Sequence, residues 1–263
     1  MNKRIEYIDL AKAVTIILVI VGHCYWHGIL LDKLIYAFHM PLFFMLSGYF
    51  IKQLTLAETV RKYSHAYIKP YIITCVIILF ISIGASVVTK ADIFETIKIW
   101  TIQTVFASGL DKGSELWATT PMVGMIWFLI ALFWSCVIYS FLKRYNSKVR
   151  IFISSLIFVV GCVSVLYIRL PFSLQAGMGG VLFLNVGDEI REHNIIQKFI
   201  DLKNYSKLLL FLYFIAIAIC LGGVSATTCF YGGKSLLLKL PMCIIACVAI
   251  LSVCKMTRLG GAE

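Results

Sequence analysis

Charge is scarce in this chain. Only 14% of its 263 residues are Asp, Glu, Lys or Arg, against about 25% in an ordinary soluble domain. Proline is scarce too, with five residues. No CxxC pair occurs among the nine cysteines, so neither a zinc ribbon nor a thioredoxin-type redox pair is indicated. Most of the cysteines (Cys75, Cys136, Cys162, Cys220, Cys243, Cys247) lie inside apolar runs, where cysteine behaves as a small hydrophobe. No metal site is expected. There is no internal repeat, no low-complexity tract and no polar stretch long enough for a second, soluble domain.

What is present is apolar. Hydrophobic residues make up 60% of the chain and the mean hydropathy is +0.91. The apolar residues gather into runs of about 18–20, the length a helix needs to cross a hydrocarbon core of about 30 Å. Helices satisfy their own backbone groups in lipid and open sheets do not. The expected fold is therefore all-α: a polytopic transmembrane bundle of about eight helices, treated as a single membrane domain over residues 1–263. The runs place helices near Ile8–His27, Leu34–Ile51, Tyr71–Val88, Met125–Leu142, Val149–Ile168, Pro171–Ile190, Leu208–Val224 and Leu236–Cys254. Gly177, Gly179 and Gly180 in the sixth permit close helix packing or mark a break. The first run carries Lys12 and His23 and lacks a small-residue cleavage site. It reads as a retained helix rather than a signal peptide.

The formal charge of +11 fits the positive-inside rule better than nucleic-acid binding. With the N-terminus inside, the inside gaps hold sixteen Lys and Arg and the outside gaps six (Lys33, Lys90, Lys98, Lys112, Arg169, Lys234). Both termini are thus expected to be cytoplasmic, in a cell (inner) membrane. The longest outside gap, Thr89–Gly124, carries both charge signs, Trp100, Trp117 and Pro121. It reads either as an interfacial helix or as an ordinary loop.

Ionisable side chains inside membrane helices are costly and mark function. The first helix has three: Asp9, Lys12 and His23. Lys12 and His23 stand eleven residues apart, about 20° from the same face and about 16 Å along the axis. Asp9 falls about 40° away on the other side of that stripe. A cation near the cytoplasmic end can hold the phosphates of an acyl carrier. A histidine farther in can act as general base on a hydroxyl. The plainer alternatives are a snorkelling Lys12 and a packing His23. The second helix adds His39 near the outer face. It also brings Pro41, read as near the helix start, and Ser47 and Gly48, small enough for close approach to the first helix.

Together, Lys12, ten intervening residues and His23, followed by Phe38-His39-Met40-Pro41-Leu42-Phe43-Phe44 and Ser47-Gly48-Tyr49, resemble the membrane acyltransferase-3 family, in particular its sugar O-acetylase branch. Arg61, Lys62 and Lys69 before Pro70-Tyr71, and Trp127-Phe128-Leu129, extend the resemblance to about Leu132. The basic residues before Pro70 are spaced differently from the usual pattern. Family members usually have ten helices, so eight imply a C-terminally shortened form. The resemblance implies an O-acetyltransferase that moves acetyl from cytoplasmic acetyl-CoA to a hydroxyl of a cell-envelope or secreted polysaccharide or lipid-linked glycan, surrounded by membrane lipid. The candidate catalytic residues are His23, Asp9 and His39. The candidate cofactor-binding residues are Lys12, Arg61, Lys62 and Lys69. Two rivals stay open: a glycan or small-solute transporter or flippase, and an inactive truncated homologue.

Overall fold

A computed structural model describes residues 5–24, 30–109, 122–222 and 235–259. Among these the chain is helical throughout, with one isolated β-bridge between Ser108 and Met122. The helices are α1 (Glu6–His23), α2 (Leu30–Tyr49), α3 (Leu56–Tyr63), α4 (Lys69–Thr89), α5 (Ile93–Phe106), α6 (Trp127–Leu142), α7 (Ser147–Tyr167), α8 (Leu174–Glu192), α9 (Ile195–Ile200), α10 (Asn204–Leu221) and α11 (Leu236–Leu259). Helices occupy the described parts of all eight expected apolar segments (α1, α2, α4, α6, α7, α8, α10, α11), the sixth beginning at Leu174. The Gly-rich sixth continues unbroken as α8.

Among the described residues, four stretches are long and apolar enough to cross a membrane: Leu56–Thr89, Ser147–Tyr167, Asn204–Leu221 and Leu236–Thr257. Trp127–Leu142 is apolar but shorter. The other expected spans carry polar groups that dilute their hydropathy. These are Glu6, Asp9 and Lys12 in α1, Asp32, Lys33 and His39 in α2, and Asn185, Asp188 and Glu189 in α8. The long helices turn apolar side chains outward. Phe80 of α4 is 70% exposed, and Ile77, Ile81, Phe152, Val159 and Leu209 are also exposed. In water such a surface would aggregate; in a bilayer it is the ordinary lipid-facing surface. The protein is an all-α membrane helix bundle.

Contacts divide the chain into two compact units. One comprises Met1–Phe50, Phe183–Ala226 and Tyr231–Glu263; the other comprises Ile51–Leu182 and Thr227–Phe230.

In the first unit α1, α2, α10 and α11 pack on one another, with α9 against α11. Its core includes Ile8, Leu42, Phe44, Met45, Met242 and Leu251. Pro41 lies inside α2, not near its start, because the helix begins at Leu30. A proline there removes one intrahelical bond, a loss that membrane helices tolerate where neighbours satisfy the backbone. Close by, the Cys247 thiol of α11 donates to the Phe38 carbonyl at 3.6 Å. Gly48 also departs from expectation. Its nearest neighbour is the Leu184 carbonyl of α8 rather than α1, and a Cβ there would overlap it. Gly187 of α8 stands against the Met45 carbonyl of α2 in the same way. The two glycines make a reciprocal backbone-to-backbone crossing, which any side chain would force apart.

In the second unit α3 and α4 form one continuous helix, Leu56–Thr89, with a π-helical turn at Ser64–Ile68. Thr55 starts it with a capping box. The Glu58 N–H donates to the Thr55 hydroxyl at 3.3 Å, and the Thr55 N–H donates to the Glu58 carboxylate at 2.9 Å, closing two of the open N-terminal donors. Asp92 and Asn146 cap α5 and α7. The long gap Thr89–Gly124 holds a helix, α5. At fourteen residues it is about 21 Å long, too short to span. It packs on α4 through Tyr71, whose hydroxyl donates to the Thr104 carbonyl at 2.7 Å. Trp117 and Pro121 fall outside the described residues.

Candidate functional site

The first unit holds Asp9, Lys12, His23 and His39. α1 and α2 pack together, and the polar face of α1 meets α2 at both ends. At the N-terminal end of α1 the Tyr7 hydroxyl lies 2.9 Å from the Tyr49 hydroxyl. Lys12 Nζ stands 3.6 Å from an Asp9 carboxylate oxygen and 5.0 Å from the centre of the Phe50 ring. Both charged side chains remain nearly half exposed, so the lysine is braced by a carboxylate and an aromatic face while its ammonium stays open to an anion. This pair sits on α1 because each turn of the helix returns Asp9 and Lys12 to neighbouring positions.

At the C-terminal end of α1, His23 is exposed and meets Tyr36 of α2. Its Nδ1 lies 3.3 Å from the Tyr36 hydroxyl. The rings meet edge to face at 5.8 Å. Tyr36 also donates to the Gly22 carbonyl at 3.0 Å and packs edge to face against His39 at 5.0 Å. His39 is buried. Its Nδ1 lies 2.9 Å from the Ile35 carbonyl, which can only accept, so Nδ1 carries the proton. Thus the structure gathers His23, Tyr36 and His39 at one end of the α1–α2 pair and Asp9 with Lys12 at the other. Asp9 is fourteen residues from His23, about 21 Å along the helix. It touches Lys12 and lies outside hydrogen-bonding reach of either histidine.

Arg61, Lys62 and Lys69 belong to the second unit. All three are exposed. Lys62 Nζ lies 4.8 Å from the centre of its neighbour Tyr63. Tyr63 stacks on Tyr67 at 5.8 Å across the π-turn, placing two phenols side by side below the basic pair.

Several polar residues escaped the sequence reading. Tyr36 is one, since an aromatic residue in an apolar run gives no signal of its own. In α8, Asp188 is fully buried and pairs with Arg191 at 2.8 Å. Glu189 meets His193 Nδ1 at 3.2 Å. Two acids inside an apolar run are a legible warning, visible in α8 as clearly as Asp9 is in α1. A cavity of about 670 Å³ in the first unit is lined by Leu10, Val14 and Leu18 of α1 with residues of α2, α9, α10 and α11. That face of α1 is the one turned away from Lys12, and the cavity does not border His23. Among the described residues, no three His, Cys, Asp or Glu side chains converge as metal ligands would.

A family model described as an acyltransferase domain matches residues 5–257. The chain belongs to the membrane acyltransferase-3 family. The match covers both ends of the α1–α2 pair and both contact units of the acyltransferase. No curated protein and no solved structure matches it.

Proposed function

We propose that this membrane acyltransferase moves acetyl from cytoplasmic acetyl-CoA to a hydroxyl of a cell-envelope or secreted polysaccharide, in the cell membrane and with both termini cytoplasmic. The observation that carries the reading is the α1–α2 pair. It presents a braced cation at one end and a histidine held by a hydroxyl at the other, on an enzyme of an acyl-transferring family. The separation of about 16 Å between Lys12 and His23 suits a carrier whose phosphates and thioester are far apart.

In this scheme Lys12, braced by Asp9, holds CoA phosphate. The His23 imidazole accepts the proton of the acceptor hydroxyl as its oxygen attacks the thioester carbonyl carbon. A carbon–oxygen bond forms, the carbon–sulfur bond breaks, and His23 returns the proton to the departing CoA sulfur. The products are the O-acetyl ester and CoA thiol, and no electron is gained or lost. General-base help of this kind is worth about 10²–10⁴ in rate. Asp9 acts through Lys12, and His39 acts by packing against Tyr36.

Membrane vesicles given radiolabelled acetyl-CoA on the cytoplasmic face test the reading. Label should pass to glycan, with CoA thiol released in equal amount. Passage of intact glycan or solute with no consumption of acetyl-CoA would instead establish a transporter.

A further inference from the structure

α1 ends at His23, so its last carbonyls have no partner within the helix. The Cys24 N–H serves those of Ile20 and Val21. The Gly22 carbonyl is served from α2, by the Tyr36 hydroxyl at 3.0 Å. Gly22 permits this approach. A Cβ there would come within 3.3 Å of an Ile35 methyl and 3.6 Å of the Tyr36 ring.

A phenol has one proton. Given to the Gly22 carbonyl, which can only accept, it leaves the Tyr36 oxygen to act as an acceptor toward its other neighbour, His23 Nδ1 at 3.3 Å. A neutral imidazole also has one proton, and the nitrogen that donates is the one that carries it. We infer that Tyr36 is a positioning residue that holds His23 in the Nδ1–H tautomer, with the lone pair on Nε2 facing away from Tyr36 as the base. The inference rests on the acetyl-transfer reading of His23 and assigns the proton that reading needs.

The same contact serves the charged form. When Nε2 takes the hydroxyl proton, Nδ1–H becomes an imidazolium donor and its bond to the Tyr36 oxygen strengthens. His39 completes the arrangement from the other side. Its ring lies edge to face against Tyr36 at 5.0 Å, and its own Nδ1 is fixed on the Ile35 carbonyl. The phenol is thus held between two histidines with different tasks: His39 packs it, and His23 is oriented by it. The reverse arrangement, with Tyr36 donating to His23, would put the His23 proton on Nε2 and leave no base.

The test is ¹⁵N NMR of the full chain in nanodiscs with labelled histidine, the His23 signals being those lost in His23→Ala. In the wild type with the ring neutral, Nδ1 should show the protonated shift and Nε2 the unprotonated one. This measurement needs no variant at position 36. Tyr36→Phe should move the proton toward Nε2. It should also lower kcat for acetyl transfer by about 10- to 100-fold, a part of the 10²–10⁴ that a well-placed general base supplies, while KM for acetyl-CoA stays within about twofold. A wild-type His23 with its proton on Nε2 overturns the inference. So does full kcat in Tyr36→Phe, and so does a lowered kcat with an unchanged tautomer. Full transfer by His23→Ala would instead remove the acetyl-transfer reading itself, whatever the tautomer.

Discussion

Lys12 carries a definite burden at the scale of single residues. Its ammonium is braced by Asp9 at 3.6 Å and by the Phe50 ring, yet it is exposed enough to meet an anion. Exposed ion pairs contribute only about 0–1 kcal/mol, so the pair does not explain the cost of placing a charge in an apolar helix. In the proposed reading a CoA phosphate does. Lys12→Ala should therefore weaken acetyl-CoA binding with little change in thermal stability. Lys12→Arg should keep most of the affinity, because the charge remains while the donor geometry changes. Titration of the purified variants with acetyl-CoA measures this, and equal affinity in wild type and Lys12→Ala would take Lys12 out of the role.

Single elements meet most tightly at the crossing of α2 and α8. Gly48 and Gly187 each face a carbonyl of the other helix, and neither has room for a methyl. Gly84 in α4 has nothing near the position its Cβ would take. These positions give opposite expectations for one chemical change. Gly48→Ala and Gly187→Ala should each destabilise by about 1–3 kcal/mol, the range of overpacking, through separation of the helices. Gly84→Ala should be neutral or stabilising, because alanine favours a helix by about 0.8–1 kcal/mol over glycine. Thermal unfolding of the three variants in detergent decides it, and equal behaviour at all three would contradict the close crossing.

For the whole molecule, topology is the open expectation. By the positive-inside rule, the excess of Lys and Arg in alternate gaps would place both termini in the cytoplasm. Reporter fusions at Ser108, after α5, and at Asn146, before α7, should then report outside and inside. Signals from the same side would break the alternation on which Lys12 and His23 receive their ends of the membrane. The existence of the apolar helices was legible because hydropathy over about 20 residues is a strong, local signal. The short helices were less so. α3 follows from the Thr55–Glu58 capping box and α5 from the Asp92 cap, and both signals rest on two or three residues each. The apolar run puts the start of α2 at Leu34 and Pro41 near it; the helix begins at Leu30 and holds Pro41 inside, where neighbouring helices tolerate it. In the site, charge and spacing singled out Asp9, Lys12 and His23. Tyr36 and the Gly48–Gly187 crossing depend on which helices become neighbours, and no spacing within one segment carries that. Asp188 and Glu189 were visible as acids in an apolar run.

The central claim is that this acyltransferase acetylates a surface glycan and that His23 does the proton transfer. It is tested most directly by NMR of the surface polysaccharide from three strains: one carrying the wild-type gene, one lacking it, and one carrying His23→Ala with the variant protein confirmed in the membrane at the wild-type level. The account expects O-acetyl signals in the first strain and none in the other two. Equal O-acetyl signals in all three would contradict the function, and equal signals in the first and third alone would contradict the role of His23.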